Sequence, residues 1–338
     1  MNDIIPASQF GWRGTKAFSE EGVQDVWDST SLKLASDCLR KYYYVMMEGW
    51  QSKELSVHLR FGQHYATALE HYHKAKAEGA SHDEALYLVV HEALIDTWDY
   101  ETEPTGEGDP GYPNGVNIKR DEQGNRIGAP WESSHNLKTR GNLIRTIVWY
   151  LETFEEDTCS TYILSDGRAG VEYSFKLPVD NGVVFSGHID RLVNYAQGIY
   201  VQDQKTTGST ITARYFEGFA PDIQMSMYTF AGKAIYDIPV KGVIIDAAQI
   251  AVGFSRFERG FTFRDEPQLN EWYDTMMRKI EETQRATREQ YFPMNTQACG
   301  NYGGCPFRQV CSRTPAIRPQ FLKGAFVQGP SWDPMRSR

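Results

Sequence analysis

Three charged side chains stand inside two apolar, strand-like stretches of the sequence: Asp190 in GHIDRLVNY, and Asp203 and Lys205 in GIYVQDQKTT. An unpaired charge in a strand interior is costly, so something must complete these groups. If residues 183 to 193 and 199 to 206 form a hairpin through a turn near Gln197 and Gly198, the two aspartates come from adjacent strands. Lys205, two residues beyond Asp203, then falls on the same face, because side chains alternate along a strand. Crowded carboxylates raise one another's pKa unless a cation neutralises them. A hard divalent ion such as Mg2+ suits such oxygen ligands. The neighbouring amine would orient or deprotonate an attacking water and offset charge on a phosphate. The plainer alternative is a half-solvated strand-edge ion pair, Asp203 with Lys205 or Asp190 with Arg191.

A second group of reactive side chains lies in ACGNYGGCPFRQVCSR, where Cys299, Cys305 and Cys311 are each separated by five residues. Three local thiolates leave a tetrahedral site one ligand short, and Cys38 in SDCLRKYYY is the distant candidate for the fourth. A ligand set split between the two ends of the chain would clamp the termini together. Four-thiolate sites are usual for structural zinc. Cys159 is left over as a free packing residue. His64, His71 and His73 in FGQHYATALEHYHK raise a further zinc site, against which stands simple solvation of an exposed helix face.

The elements that must position these groups follow from periodicity. Residues 28 to 50 read as a helix behind a Ser/Thr cap. Residues 61 to 98 read as two helices, the first beginning near Gly62, and 137 to 156 as another, with Leu143, Ile147, Leu151 and Phe154 on one stripe. Between them, residues 101 to 135 are rich in Gly, Pro and charge, which predicts a long surface excursion with a small hairpin around Gly124. GVEYSFKLPV, VVFSGHIDRLVNY and GIYVQDQKT predict a meander of three strands. A helix over 221 to 236, the strands VKGVIIDAAQIAV and RFERGFTF, and a long helix over 266 to 290 complete an α/β order: a mixed central sheet flanked by helices. The expected divisions are an N-terminal helical segment (1–60), a helical region (61–160), the chemical core (161–290), the cysteine segment (291–313) and a basic, Pro-containing tail (314–338).

With 338 residues, 41% of them hydrophobic, the chain can bury a sizeable core. A net charge of −9 argues against general polyanion coating, but leaves room for a local basic channel. Five cysteines are too few for a secreted disulfide scaffold. No apolar run approaches the roughly 18 residues of a membrane span, and the N-terminus lacks the layout of a secretory signal, so a cytoplasmic location is expected.

GHIDRL followed by VQDQKTT resembles the nuclease core of the PD-(D/E)XK superfamily, in its RecB-like branch, where G-x-x-D-R precedes a strand ending D-x-K-T. That branch carries a Q-x-x-x-Y box on the next helix, matched here by Gln224 and Tyr228 in PDIQMSMYTF. The resemblance implies a restriction-endonuclease-like core. In it Asp190, Asp203 and the main-chain carbonyl of Gln204 hold Mg2+ or Mn2+, Lys205 positions the water, and Gln224 and Tyr228 contact the DNA strand. The branch opens with G-x-x-x-H-x-x-x-E; Gly62 and Glu70 fit, but Ala66 occupies the histidine position. His64 is two residues away, about 200° around the helix. His64 and Glu70 are kept as metal candidates, and Glu172 as a peripheral carboxylate. The cysteines are similar to those of a subset including AddB and the CRISPR-adaptation nucleases, which implies a 4Fe-4S cluster on Cys38, Cys299, Cys305 and Cys311, with structural Zn2+ as the alternative. Their spacing, C-x5-C-x5-C, departs from the usual C-x2-C-x5-C. The implied function is a metal-dependent DNA exonuclease or endonuclease of recombination, repair or phage DNA metabolism, encoded by a phage or prophage. It would act on single-stranded DNA or duplex ends in the bacterial cytoplasm beside a recombination or replication protein, with no membrane partner. The other expectation is a catalytically silent DNA-binding or assembly module that keeps the fold.

Overall fold

A computed structural model describes residues 7–53, 56–104, 116–235 and 239–335. In chain order the strands are β1 (Val26–Trp27), β2 (Trp50–Ser52), β3 (Trp98–Tyr100), β4 (Thr102–Pro104), β5 (Val116–Ile118), β6 (Gly128–Pro130), β7 (Ser160–Thr161), β8 (Val171–Pro178), β9 (Val184–Tyr195), β10 (Gly198–Thr207), β11 (Val240–Ile250), β12 (Ser255–Thr262) and β13 (Phe326–Gln328). The α-helices are α1 (Ser29–Asp37), α2 (Leu39–Tyr42), α3 (Val57–Ala77), α4 (His82–Asp96), α5 (Arg140–Thr153), α6 (Ala213–Glu217), α7 (Ile223–Ile235), α8 (Glu266–Arg288), α9 (Arg308–Cys311) and α10 (Arg318–Ala325).

β11 explains the architecture. Its sequence VKGVIIDAAQI is buried along nearly its whole length, as expected of a strand covered on both faces. It pairs in parallel with β10 and antiparallel with β12. The sheet runs β1-β9-β10-β11-β12, with β7 and β8 also on β9, and is mixed because β1 and β9 are parallel too. Alternate residues of β11 serve two cores. Val243 and Ile245 join Leu32 of α1, Met225 of α7 and Trp272 and Ile280 of α8. Ala248 and Ile250 join Phe61 and Leu69 of α3, Val89 of α4 and Leu143 and Ile147 of α5. The expected mixed sheet flanked by helices is therefore present, with the three-strand meander as β8, β9 and β10.

Several local expectations change. The helix expected over 28 to 50 breaks at Cys38, which is extended (φ −167°, ψ 116°), and ends in a π-helical turn at Tyr43–Met47. Asn295 fastens the break: its main-chain N–H meets Cys38 Sγ at 3.3 Å and its Nδ2 donates to the Asp37 carbonyl at 2.9 Å. α3 begins at Val57 rather than near Gly62. The hairpin around Gly124 is present, with Asp121 accepting the main-chain N–H of Asn125 at 2.7 Å; residues 105–115 of the same excursion lie outside the described residues. The turn between β9 and β10 is centred on Ala196 and Gln197, both with positive φ (44° and 60°), rather than on Gln197 and Gly198. That left-handed pair matches the twist of the flanking strands.

The expected tail is structural. β13 pairs with β2, so that Gln328 faces Trp50, and Phe307, Val310, Leu322 and Phe326 form an apolar cluster with Tyr44 and Trp50. Trp332 donates to Asp28 at 2.5 Å, and Ser331 to the Met46 carbonyl at 2.9 Å. The two ends of the chain are thus joined by strand pairing and apolar burial. From the N-terminal segment, Trp27, Leu39 and Met46 lie in the same core as Phe185 and Val243.

Gly187, first residue of the G-x-x-D-R stretch, sits opposite Phe175 of β8, and a Cβ there would stand 2.9 Å from the Phe175 ring. The ring occupies the space a side chain would need. Gly187→Ala should cost about 1–3 kcal/mol of stability by overpacking, measured as a lowered urea midpoint; an unchanged midpoint would show that the ring moves freely.

Candidate active site

The site begins where two strands part. β10 pairs with β9 from Gly198 and Tyr195 up to Gln202 and Arg191, and there the ladder stops. β1 takes the same edge of β9 only at Phe185 and Val184. In the opening between, Asp190 Oδ2 accepts the main-chain N–H of Gln204 at 3.0 Å, a side chain doing what a ladder bond would otherwise do. Asp190 and Asp203 are brought side by side as the hairpin geometry predicts.

Asp203 is fully buried. Its Oδ2 pairs with the Lys205 ammonium, while Oδ1 has no hydrogen-bond donor among the described residues. Lys205 Nζ also donates to Gln224 Oε1 at 3.3 Å, and Gln224 Nε2 donates to the Tyr228 hydroxyl at 2.8 Å. Asp203, Lys205, Gln224 and Tyr228 therefore form one chain of contacts, joined to Asp190 through the Gln204 backbone. Of the ion pairs weighed from sequence, Asp203 with Lys205 exists, the carboxylate fully buried and the lysine side chain 28% exposed. Arg191 turns instead to the opposite face, donating to Gln202 Oε1 (2.9 Å), Thr161 Oγ1 (3.0 Å) and the Cys159 carbonyl (2.9 Å). There Gln202, Tyr150 and Arg259 all bond to Asp246 Oδ2, which ties β9 through β12 together beneath the opening.

The electrostatics follow from burial. Desolvation pushes the Asp203 carboxyl up to about 7, the ammonium of Lys205 opposing it and the charge of Asp190 adding to it. For Lys205 burial acts downward, but the charges of Asp203 and Asp190 outweigh it and its pKa is raised. Burial, then Asp190 and Asp203, lifts the Tyr228 hydroxyl well above its ordinary value.

Three further neighbours border this group, of which the sequence names only Glu172, as a peripheral carboxylate. Glu172 falls opposite Asp190, between the pairs Val171 with Arg191 and Tyr173 with Ile189, in a left-handed conformation (φ 47°), and its charge acts on Tyr228. Asp222 caps the start of α7, accepting the N–H of Gln224 at 2.8 Å and of Met225 at 3.2 Å. Tyr215 of α6 is near enough to feel the charges of Lys205 and Asp203. An aspartate two residues before Gln224 at a helix start is the recognisable capping pattern; Glu172 reads from sequence only as a peripheral carboxylate, and nothing in the sequence marks Tyr215.

α3 places the first-motif candidates differently. Gly62 faces β10, where a Cβ would lie 3.7 Å from Thr206 Oγ1, and Ala66 follows one turn later on that face. His64 is rotated away and lies against Trp131, ring centroids 6.2 Å apart, its pKa lowered by burial and then by Arg60. Glu70 pairs with Lys74 at 2.5 Å. Neither is brought into the Asp203 contact chain, because helical rotation carries His64 off the sheet-facing side. His71 bonds Glu92 at 2.6 Å while His73 is buried, so the histidines of α3 face different neighbours. Among the described residues no three His, Cys, Asp or Glu side chains stand at metal-enclosing distance. The donor chemistry fits a hard cation nonetheless, since Asp203 Oδ1 is a buried oxygen without a donor.

The cysteines converge at the junction of the two chain ends. Cys38, Cys299 and Cys305 line one cavity of about 230 Å³, and Cys305 and Cys311 pack beside Tyr44 and Phe307. All are free thiols, and those of Cys305 and Cys311 are pushed up by burial. Cys159 is a buried packing residue next to Val193 and Ile244, its thiol raised to about 11 by burial.

A carboxyl whose folded pKa is raised contributes stability that is complete below its ordinary value and lost as pH climbs through about 7. Metal-free protein should therefore weaken between about pH 5 and about pH 8, and Asp203→Asn should abolish most of that decline, leaving the variant more stable than wild type at the upper pH by on the order of 1–3 kcal/mol. Urea denaturation in chelator at both pH values measures it; parallel declines in the two proteins would refute the assignment.

Residues 29–312 match the family model of the PD-(D/E)XK nuclease superfamily. No curated protein matches. Among solved structures, a Eubacterium rectale protein provisionally named an exonuclease is similar over 82% of this chain and 86% of its own, with 10% identity and a TM-score of 0.45. SSO0001 is similar over 41% of this chain and 66% of its own, with 12% identity and a TM-score of 0.22. With the family model matching residues 29–312, most of the chain, the chain belongs to the PD-(D/E)XK nuclease superfamily.

Proposed function

We propose that this nuclease is a divalent-metal-dependent DNA phosphodiesterase of the RecB-like branch, acting on strand ends. The observation that carries the reading is the buried Asp203 carboxylate, one oxygen without a donor, beside Asp190 and within reach of Lys205. Asp190, Asp203 and the Gln204 carbonyl are the groups that would hold Mg2+ or Mn2+. When bound, such an ion supplies positive charge against the phosphate and acidifies the attacking water. Lys205, held between Asp203 and Gln224, keeps its proton and orients the nucleophile or the scissile phosphate. Gln224 holds the lysine from α7 and Tyr228 holds Gln224; contact of this pair with the DNA strand is part of the proposal. A role in recombination, repair or phage DNA metabolism belongs to the same proposal.

End-labelled single- and double-stranded DNA incubated with Mg2+ or Mn2+ tests this. Wild type should shorten the substrate, and Lys205→Ala should slow the reaction by about 100-fold or more. Equal rates would remove Lys205 from the chemistry. The first-motif position occupied by Ala66 favours a second reading, a DNA-binding module that no longer cuts; tight binding without cleavage under either metal would select it.

We further infer that Cys38, Cys299, Cys305 and Cys311 hold a 4Fe-4S cluster, with Zn2+ as the competing occupant. Three of them, Cys38, Cys299 and Cys305, line one cavity at the α1–α2 break, and Cys311 is near enough to feel the charges of Cys305 and Cys38, which supports this, as does the thiol donor set. Anaerobically purified protein should be brown, with iron and sulfide near equivalence and absorbance around roughly 400 nm that is lost in Cys305→Ser. Colourless protein carrying stoichiometric zinc would reverse the choice.

A further inference from the structure

One buried cation takes no part in the site described above. Lys138 is 1% exposed, and its ammonium has no hydrogen-bond partner among the described residues. It stands over the face of the Phe61 ring, 4.2 Å from the centroid. Beside it the rings of His58 and His135 meet edge-on at 4.9 Å. His135 Nδ1 accepts the main-chain N–H groups of Leu137 and Lys138, both at 3.1 Å, which leaves its proton on Nε2 as a donor. His58 is exposed and forms the outer side of the group, and its pKa is lowered by burial and by the charges of His135 and Lys138. Burial alone brings Lys138 down to about 8. Three basic side chains thus crowd together with no carboxylate of the described residues paired to the innermost one. The unpaired charge is the buried Lys138 ammonium, and an anion is what would neutralise it.

Its place in the fold indicates which anion. Phe61 is followed by Gly62, which faces Thr206, the residue after Lys205. Leu137 lies against Gly208, where a Cβ would be 3.2 Å from Leu137 Cδ1. The basic group therefore flanks the outgoing end of β10, the strand that carries Asp203 and Lys205. We propose that Lys138, with His58 and His135, forms a phosphate subsite that holds the nucleic-acid strand beside the cleavage site. The identity of the ligand rests on the nuclease reading; the existence of a phosphate site does not. Rotation of the exposed His58 side chain admits the phosphate to the Lys138 ammonium, and His135 Nε2–H supplies a second donor.

The test uses the full chain without divalent metal, with inorganic phosphate and a fluorescent single-stranded oligonucleotide as probes. Inorganic phosphate should raise the melting temperature of wild type. Lys138→Met should melt higher than wild type in phosphate-free buffer, because an unpaired buried charge is gone, and should lose the response to phosphate. It should also bind the oligonucleotide several-fold more weakly, with a slope of log affinity against log salt shallower by about 0.7, the loss of one phosphate contact on a single strand. A 5′-phosphorylated oligonucleotide that binds more tightly than its 5′-hydroxyl form only when Lys138 is present identifies a terminal phosphate; equal binding identifies an internal one. His58→Gln, at an exposed position, should weaken the phosphate response without loss of fold and serves if the lysine variant is insoluble. The proposal is overturned if wild type ignores phosphate, or if Lys138→Met, or His58→Gln in its stead, keeps the full response and the wild-type salt slope. Because none of these readouts depends on cleavage, a protein that binds phosphate here but cuts nothing would count against the proposed reaction alone.

Discussion

A carboxylate shut off from solvent, Asp203, sets the terms for the rest of the molecule. Buried in β10 with one oxygen lacking a donor among the described residues, it is tolerable because Lys205 sits against its other oxygen, while burial pushes its pKa up. Asp190 makes the situation worse electrostatically while tying itself to the Gln204 backbone. A sheet interior filled only for stability would not gather two acids and an amine at the point where its strands separate. Replacing buried ion pairs by apolar side chains is often neutral or stabilising. Burial and like charge perturb these groups as they commonly do at functional sites, and a cation with a phosphate is what the proposed reaction would bring to relieve them.

The surrounding elements hold that opening at fixed width. On one face Arg191, Gln202, Asp246 and Arg259 lace β9 to β12 together, so the strands cannot close or slide without breaking a buried network. On the other face α7 is capped by Asp222 and presents Gln224 to Lys205 and Tyr228 to Gln224. Charged groups inside the sheet are thereby divided: those above the opening are incomplete and chemically available, while those beneath it are mutually satisfied. Arg191, one residue from Asp190, belongs to the second set, and its role is to position the strand that carries its neighbour.

The chain ends extend the same scaffold. Pairing of β2 with β13, the apolar cluster around Phe307 and the bond from Trp332 to Asp28 bring the C-terminal segment against α1 and α2. Cys38 sits where that helix pair is interrupted, and the three later cysteines arrive from the opposite end of the sequence. The basic group at Lys138 lies near the outgoing end of β10, beyond α3.

Much of this was legible in the linear sequence. Period-two alternation placed Asp203 and Lys205 on one face, the hairpin signal placed Asp190 next to them, and apolar periodicity gave the helices and the mixed sheet. These are local or near-neighbour properties, and the chain encodes them within a few residues. The left-handed Glu172 opposite Asp190, the break at Cys38, the rotation of His64 toward Trp131 and the folding of the C-terminal segment were not legible there. Each is decided by a partner far away in the chain: a strand pairing, a capping Asn295, a tryptophan in a loop, an exposed edge at β2. Residue types and their spacing determined which groups could do the chemistry. Only the packed structure decided which of them meet, because burial and long-range pairing, rather than local preference, fix where a side chain loses its water and what it faces when it does.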